Sequence, residues 1–328
     1  MDGTTAVAAA SPLQGFHDFG HGGEDFLTAV LEGLSRPQKQ IPAKFLYDEA
    51  GSRLFEKITE LPEYYPTRTE IGLLQRHAAE IADAAGADAT LIEFGSGASR
   101  KIRVLLESLR QPAAYVPIDI SREHLLDSAR ILAEDYPAVP VFPVCADYTR
   151  DFALPPGIAE DGRVGFFPGS TLGNFAPAEA SAFLRRIAAL AGPGGGLLIG
   201  IDLQKDEAIL HAAYNDAAEV TAAFNLNLLT RLRRELEAEL DPEGFAHLAH
   251  YNRARGCIEM HLVSRRRQQI AVGGAVFDLE QGETIHSEDS RKYTLESFRS
   301  QAEAAGWHRR QTWVDDARLF SLHYLTVA

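Results

Sequence analysis

The stretch at residues 90–101, Thr-Leu-Ile-Glu-Phe-Gly-Ser-Gly-Ala-Ser-Arg-Lys, constrains the fold more than any other part of the chain. Its first five residues are mostly apolar, which is typical of a central parallel strand covered on both faces. Gly95 and Gly97 permit a tight turn, and the segment from Lys101 predicts a helix directly after it. A glycine-rich turn between a strand and a helix is where open α/β sheets bind ligands.

Strands and helices alternate from this turn onward. Further strands are predicted at 114–118, 141–144, 164–167 and 197–201, with helices at 101–109, 123–136 and 178–190 between them. This order predicts a doubly wound parallel sheet. The alternation then stops: one long helix is predicted at 206–239, hairpins at 250–277, and a last helix and two strands follow. An α+β unit is therefore expected between the fifth strand and the final helix of the sheet.

We expect two domains from this order. The sheet domain, which would bind the cofactor, comprises residues 69–203 and 293–328. The second, substrate-binding domain comprises residues 15–68 and 204–292. Its hairpins cannot bury a core alone, so the N-terminal helices are expected to complete it.

Charge and cysteine content exclude several classes of partner. The formal net charge of −14 argues against nucleic acid or an anionic membrane. Cys145 and Cys257 lie far apart and lack metal-ligand spacing, which favours a reducing cytoplasm without a disulfide or a bound metal. No apolar run approaches membrane-spanning length. We expect a cytoplasmic monomer that acts on a small molecule.

The glycine turn has two interpretations. A dinucleotide-binding turn requires G-x-G-x-x-G, but Arg100 occupies the third glycine position. The alternative is E-x-G-x-G, the turn of Rossmann-like methyltransferases that bind S-adenosylmethionine. Glu93 would then lie near the amino-acid end of that cofactor.

Acidic residues also end the next two predicted strands. Asp119 suits the two ribose hydroxyls, although it could instead cap the following helix. Asp147 beside Tyr148 suits an adenine, whose amino group needs an acceptor and whose face can stack on the ring. Together with Glu93, these carboxylates form a stronger pattern than any one alone. A nicotinamide-dependent oxidoreductase would not need Asp147.

The fourth strand runs into Pro-Gly-Ser-Thr-Leu-Gly-Asn at residues 168–174. This is the edge of the sheet where a methyl acceptor should meet the sulfonium. The two glycines allow close approach of the backbone, and the Asn174 amide both donates and accepts hydrogen bonds. An Asx-turn before Pro177 is the structural alternative.

Seven segments, at residues 44–48, 61–70, 93–97, 169–174, 213–216, 220–225 and 258–260, occur in the order found in one known family. From about residue 25 to its end, the chain resembles the L-histidine Nα-methyltransferases of ergothioneine biosynthesis. The resemblance implies an α/β Rossmann-like class I methyltransferase fold, a doubly wound sheet with an inserted α+β substrate-binding domain. It also implies conversion of L-histidine to Nα,Nα,Nα-trimethylhistidine (hercynine) by successive methyl transfers from S-adenosyl-L-methionine, with S-adenosyl-L-homocysteine as the product.

The resemblance and the turn pattern together nominate the site residues. The expected cofactor contacts are Tyr47, Gly95, Ser96, Gly97, Lys101, Asp119, Asp147, Tyr148 and Ser170. The expected substrate contacts are Tyr64, Gly169, Asn174, Tyr214, Met260, Glu288 and Ser290, with Tyr64 and Asn174 as catalytic residues. Two departures stand out: Tyr148 replaces the usual phenylalanine, and Asp289 stands where the family tends to be apolar.

The chemistry of these residues is consistent with histidine. On an extended segment Glu288 and Ser290 face the same side, so one can accept from an imidazole N–H while the other donates to the second nitrogen. The alternative is a solvated acidic loop. Met260 would pack against the ring, and Asn174 and Tyr214 would bind the carboxylate, although a methionine or a tyrosine on an amphipathic segment also suits a core.

Two other functions fit parts of the pattern. A methyltransferase of this architecture could act on another amine, such as tryptophan, but an indole has one N–H and needs no second partner. A non-catalytic sensor of an amino acid or of S-adenosylmethionine would need only one of the two residue sets. A growing trimethylammonium loses its N–H groups, so the pocket is expected to accept histidine and its mono- and dimethyl forms.

Overall fold

The protein is described from a computed structural model, which covers residues 13–19, 25–97 and 100–328. The strands are β1 (His17–Asp18), β2 (Lys39–Gln40), β3 (Thr90–Phe94), β4 (Ala114–Asp119), β5 (Val144–Cys145), β6 (Arg163–Phe167), β7 (Gly196–Asp202), β8 (Phe245–Asn252), β9 (Cys257–Ser264), β10 (Gln268–Val272), β11 (Ala275–Leu279), β12 (Thr284–Arg291), β13 (Trp307–Val314) and β14 (Phe320–Val327). The α-helices are α1 (Phe26–Leu34), α2 (Glu49–Glu60), α3 (Tyr65–Arg76), α4 (Ala78–Ala85), α5 (Arg100–Ser108), α6 (Arg122–Asp135), α7 (Pro177–Ala191), α8 (Glu207–Tyr214), α9 (Val220–Leu236) and α10 (Leu295–Glu303).

The larger sheet has the strand order β1-β5-β4-β3-β6-β7-β14-β13. Strands β1 and β3–β7 are parallel, whereas β14 runs antiparallel to both β7 and β13. Apolar residues of α3–α6 cover one face of the sheet, and those of α7 and α10 cover the other. All five residues of β3 are buried, as its composition predicts. This arrangement confirms the predicted doubly wound, Rossmann-like class I methyltransferase fold.

The inserted α+β unit follows β7 and ends before α10, as predicted. Its sheet has the order β2-β12-β9-β8, beside the separate hairpin β10-β11. Side chains from α1, α2, α8 and α9 share one core with these strands, so N-terminal helices do complete the unit. The N-terminal strand β1 pairs with β5 of the larger sheet, and α3 runs through the expected boundary between residues 68 and 69.

Two predicted elements differ from the structure. The single helix expected at 206–239 is wrong, because the chain breaks between α8 and α9. Asp216 caps α9 by accepting from the backbone N–H groups of Val220 and Thr221, each at 2.8 Å, and Glu219 has a positive φ of 56°. The third predicted strand shrinks to β5, since Val141 makes only isolated bridges.

Within the described residues, no helix has both the length and the apolar character needed to cross a membrane. The longest of the described helices, α9, has 17 residues. Cys145 and Cys257 are both buried free thiols.

Candidate active site

A cavity of about 1180 Å³ opens at the carboxyl ends of β3, β4 and β6 and extends to the inserted unit. A smaller recess of about 50 Å³ adjoins it on the side of β9 and β12. The cavity is lined by the predicted residues Tyr47, Tyr64, Gly95, Ser96, Gly97, Lys101, Asp119, Asp147, Tyr148, Gly169, Asn174 and Glu288. The recess shares several of these residues and adds Tyr214, Met260 and Ser290. The structure therefore brings together all the predicted site residues except Ser170.

The turn after β3 leaves backbone and side-chain groups open to the cavity. Gly95 and Gly97 have positive φ values of 75° and 34°, which favour glycine. The hydroxyl of Ser96 is buried and has no hydrogen-bond partner among the described residues. A ligand that offers polar groups would satisfy it.

Two carboxylates lie at the ends of β3 and β4. Glu93 accepts a hydrogen bond from the Tyr115 hydroxyl, and burial raises the pKa of its carboxyl group to about 8. Asp119 accepts from the backbone N–H of Ser121 at 2.8 Å, and burial raises its pKa as well. Both groups line the cavity, so both are available to hydroxyl or amino groups of a ligand.

The residues after β5 form an aromatic and acidic corner. The Tyr148 ring meets Phe94 and Phe167 edge-on, with ring centroids 6.2 and 5.9 Å apart, which fixes its orientation. The Asp147 carboxylate accepts from the backbone N–H of Thr149 at 3.0 Å. A fixed ring beside a carboxylate suits an adenine.

The residues at this end of the cavity fit S-adenosylmethionine. The strand-end carboxylates provide acceptors for its ribose and amino groups, and the positive φ values of Gly95 and Gly97 let the backbone turn tightly beside them. The unpartnered hydroxyl of Ser96 is a further polar group that the cofactor could satisfy.

Glu70 forms a buried link that sequence reasoning missed. Its side chain is fully buried, pairs with the Lys101 ammonium at 2.6 Å and accepts from the backbone N–H of Gly169 at 2.9 Å. Gly200 leaves the space for it, since a Cβ there would lie 2.0 Å from a carboxylate oxygen of Glu70. Glu70 thereby ties the turn after β3 to the turn after β6. Glu70 ends segment 61–70, one of the segments that carry the family resemblance. That resemblance was the sequence signal that could have identified it.

Ser170 is not placed where the sequence suggested. It was expected to contact the cofactor, but its φ of 57° turns the side chain into the protein. There its hydroxyl accepts from the backbone N–H of Asp202 at 2.9 Å, and it lines neither the cavity nor the recess. Two successive positive-φ residues, Gly169 and Ser170, form this turn.

Close packing against β12 positions Asn174. A Cβ at Gly173 would lie 2.6 Å from the backbone oxygen of Arg291, so only glycine lets the loop lie this close to the strand. Asn174 follows directly and lines both the cavity and the recess.

A bulge in β12 orients the substrate-side carboxylate. The pairing with β9 shifts between His286 and Glu288, which places Glu288 opposite Met260. Glu288 is 6% exposed, and one of its carboxylate oxygens is buried without a hydrogen-bond partner among the described residues. Burial raises the pKa of this carboxyl group to about 8. Its unpartnered oxygen is placed to accept from a buried N–H, and such a donor would favour the ionised carboxylate over the neutral acid.

Asp289 points away from the recess. Its carboxylate pairs with the guanidinium of Arg255 and lies 2.9 Å from a ring nitrogen of His286. In register it stands opposite Glu259, on the other face of β12 from Glu288. The departure from the family pattern at this position therefore lies outside the recess, although Asp289 lines the larger cavity.

Aromatic rings form the opposite wall of the recess. Tyr64 and Tyr214 meet edge-on with centroids 6.4 Å apart, and Tyr47 meets Phe224 at 5.4 Å. Burial raises the pKa of the Tyr64 hydroxyl well above its usual value, so this group stays neutral. A neutral hydroxyl can both donate and accept at the boundary between cavity and recess.

Behind the recess lies a buried cation that the sequence analysis also missed. The Lys292 ammonium pairs with Asp202 at 2.7 Å and donates to the hydroxyls of Tyr214 and Ser290 at 2.9 and 2.8 Å. A usable signal was present: Asp202 ends the otherwise apolar strand β7, and Lys292 follows Ser290 by two residues.

Comparison with known proteins decides the family. The profile of the family described as "Histidine-specific methyltransferase, SAM-dependent" matches residues 26–327. The chain belongs to this family. As a member of the histidine-specific methyltransferase family, the protein is an enzyme that depends on S-adenosylmethionine.

Characterised relatives of this methyltransferase span almost its full length. The histidine N-alpha-methyltransferase of Mycobacterium tuberculosis is 41% identical over 299 residues, which are 89% of this chain and 92% of the relative. That of Mycolicibacterium smegmatis is 41% identical over 300 residues, with the same coverage. Ergothioneine biosynthesis protein 1 of Neurospora crassa is 31% identical over 311 residues, 88% of this chain but 33% of the longer relative.

Proposed function

We propose that the enzyme transfers methyl groups from S-adenosylmethionine to the α-amino group of L-histidine and yields Nα,Nα,Nα-trimethylhistidine (hercynine), as the first step of ergothioneine biosynthesis. One observation carries the choice of substrate. Glu288 holds a buried carboxylate oxygen without a partner at the junction of cavity and recess. An imidazole N–H satisfies that oxygen, whereas a side chain without an N–H leaves it unpaired at a cost.

The bound cofactor supplies an electrophilic methyl group on a sulfonium. The residues of this chain bind and align the amine that receives it. Tyr64 and Asn174 line both cavity and recess, so they are placed to orient the α-amino group at the boundary. Correct alignment of reacting groups can remove roughly 7–11 kcal/mol of the barrier, so orientation is their main contribution.

The amine must be neutral to attack, because an ammonium has no lone pair. A nearby positive charge lowers the pKa of an ammonium, so the sulfonium itself favours the neutral form. No separate strong base or metal ion is then required. Each transfer removes one N–H, so the site accepts the mono- and dimethyl forms by shape rather than by hydrogen bonds to the amine.

We propose that the two domains bind different ligands. The sheet domain, residues 69–203 and 293–328, binds S-adenosylmethionine, and residues 15–68 and 204–292 bind histidine. One chain supplies residues to both the cavity and the recess, which supports a monomer as the working unit. Two buried free thiols support a reducing compartment such as the cytoplasm.

The experiment is a time course with purified protein, L-histidine and excess S-adenosylmethionine, read by mass spectrometry. We expect mono- and dimethyl histidine to appear first and a trimethylated product to accumulate at the end. Fragmentation should place all three methyl groups on the α-nitrogen. Methylation of a ring nitrogen, or a reaction that stops at one methyl with cofactor still present, would contradict the proposal.

A further inference from the structure

Titratable side chains cover one face of the sheet formed by β8, β9 and β12, outside the recess. Glu259 and His261 lie two residues apart on β9 and therefore face the same side. His250 on β8 is paired directly opposite Glu259. Glu259 and His261 line the wall of the cavity, whereas the His250 side chain is 45% exposed to solvent. The methyl transfer proposed above uses none of these three groups.

The imidazole rings of His250 and His261 converge on one oxygen of Glu259. The Nε2 atom of each ring lies 3.4 Å from Oε2 of this carboxylate, and the rings stack with centroids 5.4 Å apart. The spacing is longer than the usual N–H···O hydrogen bond of about 2.7–3.2 Å. It matches a tetrahedral zinc site, because ligand atoms about 2.0–2.1 Å from the ion stand about 3.3–3.4 Å from one another.

The surroundings of these groups leave the inward-facing atoms available. Oε1 of Glu259 accepts from the Asn252 amide at 2.9 Å and from the Arg255 guanidinium, which fixes the carboxylate and leaves Oε2 to the two rings. Outer partners of this kind typically orient metal ligands. Among the described residues, the Nδ1 atoms of His250 and His261 have no hydrogen-bond partner, so no donor there forces the ring proton onto Nε2. Both Nε2 lone pairs can therefore bind an ion.

The two groups in the cavity wall also have the ionisation states that a metal ion needs. Burial acts to raise the pKa of the Glu259 carboxyl, but hydrogen bonds from Arg255 and Asn252 outweigh it and lower the pKa below its usual value. Burial, and then the neighbouring His286 ring, lower the pKa of the His261 imidazole. At neutral pH the carboxylate is therefore charged and the ring is neutral.

A second set of possible ligands shares Glu259. Cys257, Glu259 and Asp289 each place a donor atom within 4.8 Å of the other two. Burial raises the pKa of the Cys257 thiol to about 11, whereas a metal binds the thiolate. The Asp289 carboxylate is already held by Arg255 and His286. The set with two histidines is therefore favoured.

We propose that His250, Glu259 and His261 bind a divalent transition-metal ion, and that Zn²⁺ best matches two imidazoles and one carboxylate. Three protein ligands leave a fourth position for water, which can enter because the His250 side chain is half exposed. The site does not depend on the proposed function, since methyl transfer needs no metal ion. Linear spacing does not reveal it, because the register of β8 and β9 brings residues 250 and 259 together.

The test is calorimetric titration of the metal-free enzyme with Zn²⁺, without histidine, which binds zinc itself. We expect one ion per chain and a Tm that rises with the Zn²⁺ concentration, because an ion bound by the folded state stabilises it. Co²⁺ in place of Zn²⁺ should give the visible absorption of a tetrahedral site. If neither ion binds, the proposal is wrong and the cluster is held by hydrogen bonds alone.

Substitutions of the two histidines test which residues hold the ion. Loss of an outer partner of a metal ligand typically weakens binding about 10- to 100-fold, so His250→Gln and His261→Gln should each raise the Kd for Zn²⁺ at least about a hundredfold. The matched control is His308→Gln, which changes an exposed histidine on β13 of the larger sheet and should keep the wild-type Kd.

Three outcomes would overturn the assignment. A wild-type Kd in both His250→Gln and His261→Gln would exclude these ligands, and equal weakening in His308→Gln would show binding at scattered surface histidines. Loss of binding in Cys257→Ser with normal binding in both histidine variants would assign the ion to the other set. If His261→Gln does not fold, His250→Gln decides the question alone, because its half-exposed side chain can be replaced without opening the core.

Discussion

Replacing Glu288 by glutamine removes the carboxylate that would form when histidine binds, with little change in shape. In the complex, the Glu288 carboxylate accepts from the imidazole, and a hydrogen bond to a charged group contributes about 1.5–3 kcal/mol. Glu288→Gln should therefore lower kcat/KM for L-histidine by about ten- to 150-fold. The Kd for S-adenosylmethionine should stay unchanged, because the strand-end carboxylates after β3 and β4 are untouched.

The assay is steady-state methylation of L-histidine, with cofactor binding measured separately by calorimetry. Asp289→Asn is the matched control, because it removes the neighbouring charge on the other face of β12, where Arg255 and His286 bind it. It should change kcat/KM much less than Glu288→Gln does. Equal kcat/KM values for Glu288→Gln and the wild type would refute the assignment of Glu288 to the imidazole.

The same variant has a distinct signature in stability against pH. In the ligand-free protein the Glu288 carboxyl has its pKa raised to about 8 by burial. The folded state then binds one more proton than the unfolded state between about pH 4.3 and 8, so stability falls by about 1.4 kcal/mol per pH unit across this window. Glu288→Gln has no carboxyl group at this position, so its stability does not fall with pH in this way. Relative to the wild type, its Tm should therefore rise as the pH increases from 6 to 9, and parallel Tm curves would contradict the burial argument.

Three further substitutions test the framework around the site. Gly173→Ala places a Cβ against the backbone of Arg291, so we expect lower Tm and lower kcat/KM by thermal melts and kinetics; wild-type values would show that the loop has room to move. Asp119→Ala should raise the Kd for S-adenosylmethionine by about tenfold or more in calorimetry and leave Tm nearly unchanged, and an unchanged Kd would remove the ribose assignment. Glu70→Gln leaves Lys101 without its buried partner, which typically costs about 3–5 kcal/mol, and a denaturation midpoint equal to that of the wild type would contradict this role.

Hydrophobic periodicity and the glycine turn were enough to predict the larger sheet. The apolar strand at Thr90–Phe94, the glycine turn after it and the alternation up to residue 203 predicted the sheet, and the structure confirms it. The break after α8 was missed because Asp216 ends the helical pattern by capping α9, while the apolar spacing continues across it. Capping by a single side chain leaves little trace in hydrophobic periodicity.

The site residues illustrate a different limit. Motif residues that line the cavity were identified because their types suit a ligand. Ser170 was misplaced because its orientation depends on a left-handed backbone conformation that serine seldom adopts. Glu70 and Lys292 were missed because their partners lie 31 and 90 residues away in the chain, Lys101 and Asp202, and only the folded structure brings these charges together.

The most direct test of the account is a competition for the enzyme in one reaction. Equal concentrations of L-histidine, L-tryptophan and other amino acids are incubated with S-adenosylmethionine, and the methylated products are identified by mass spectrometry. A site built around a buried acceptor can reject analogues that lack the matching group by about 10⁴–10⁵ in kcat/KM. We expect methylated histidine as the dominant product. Comparable methylation of tryptophan, or of an amino acid without a ring N–H, would contradict the account.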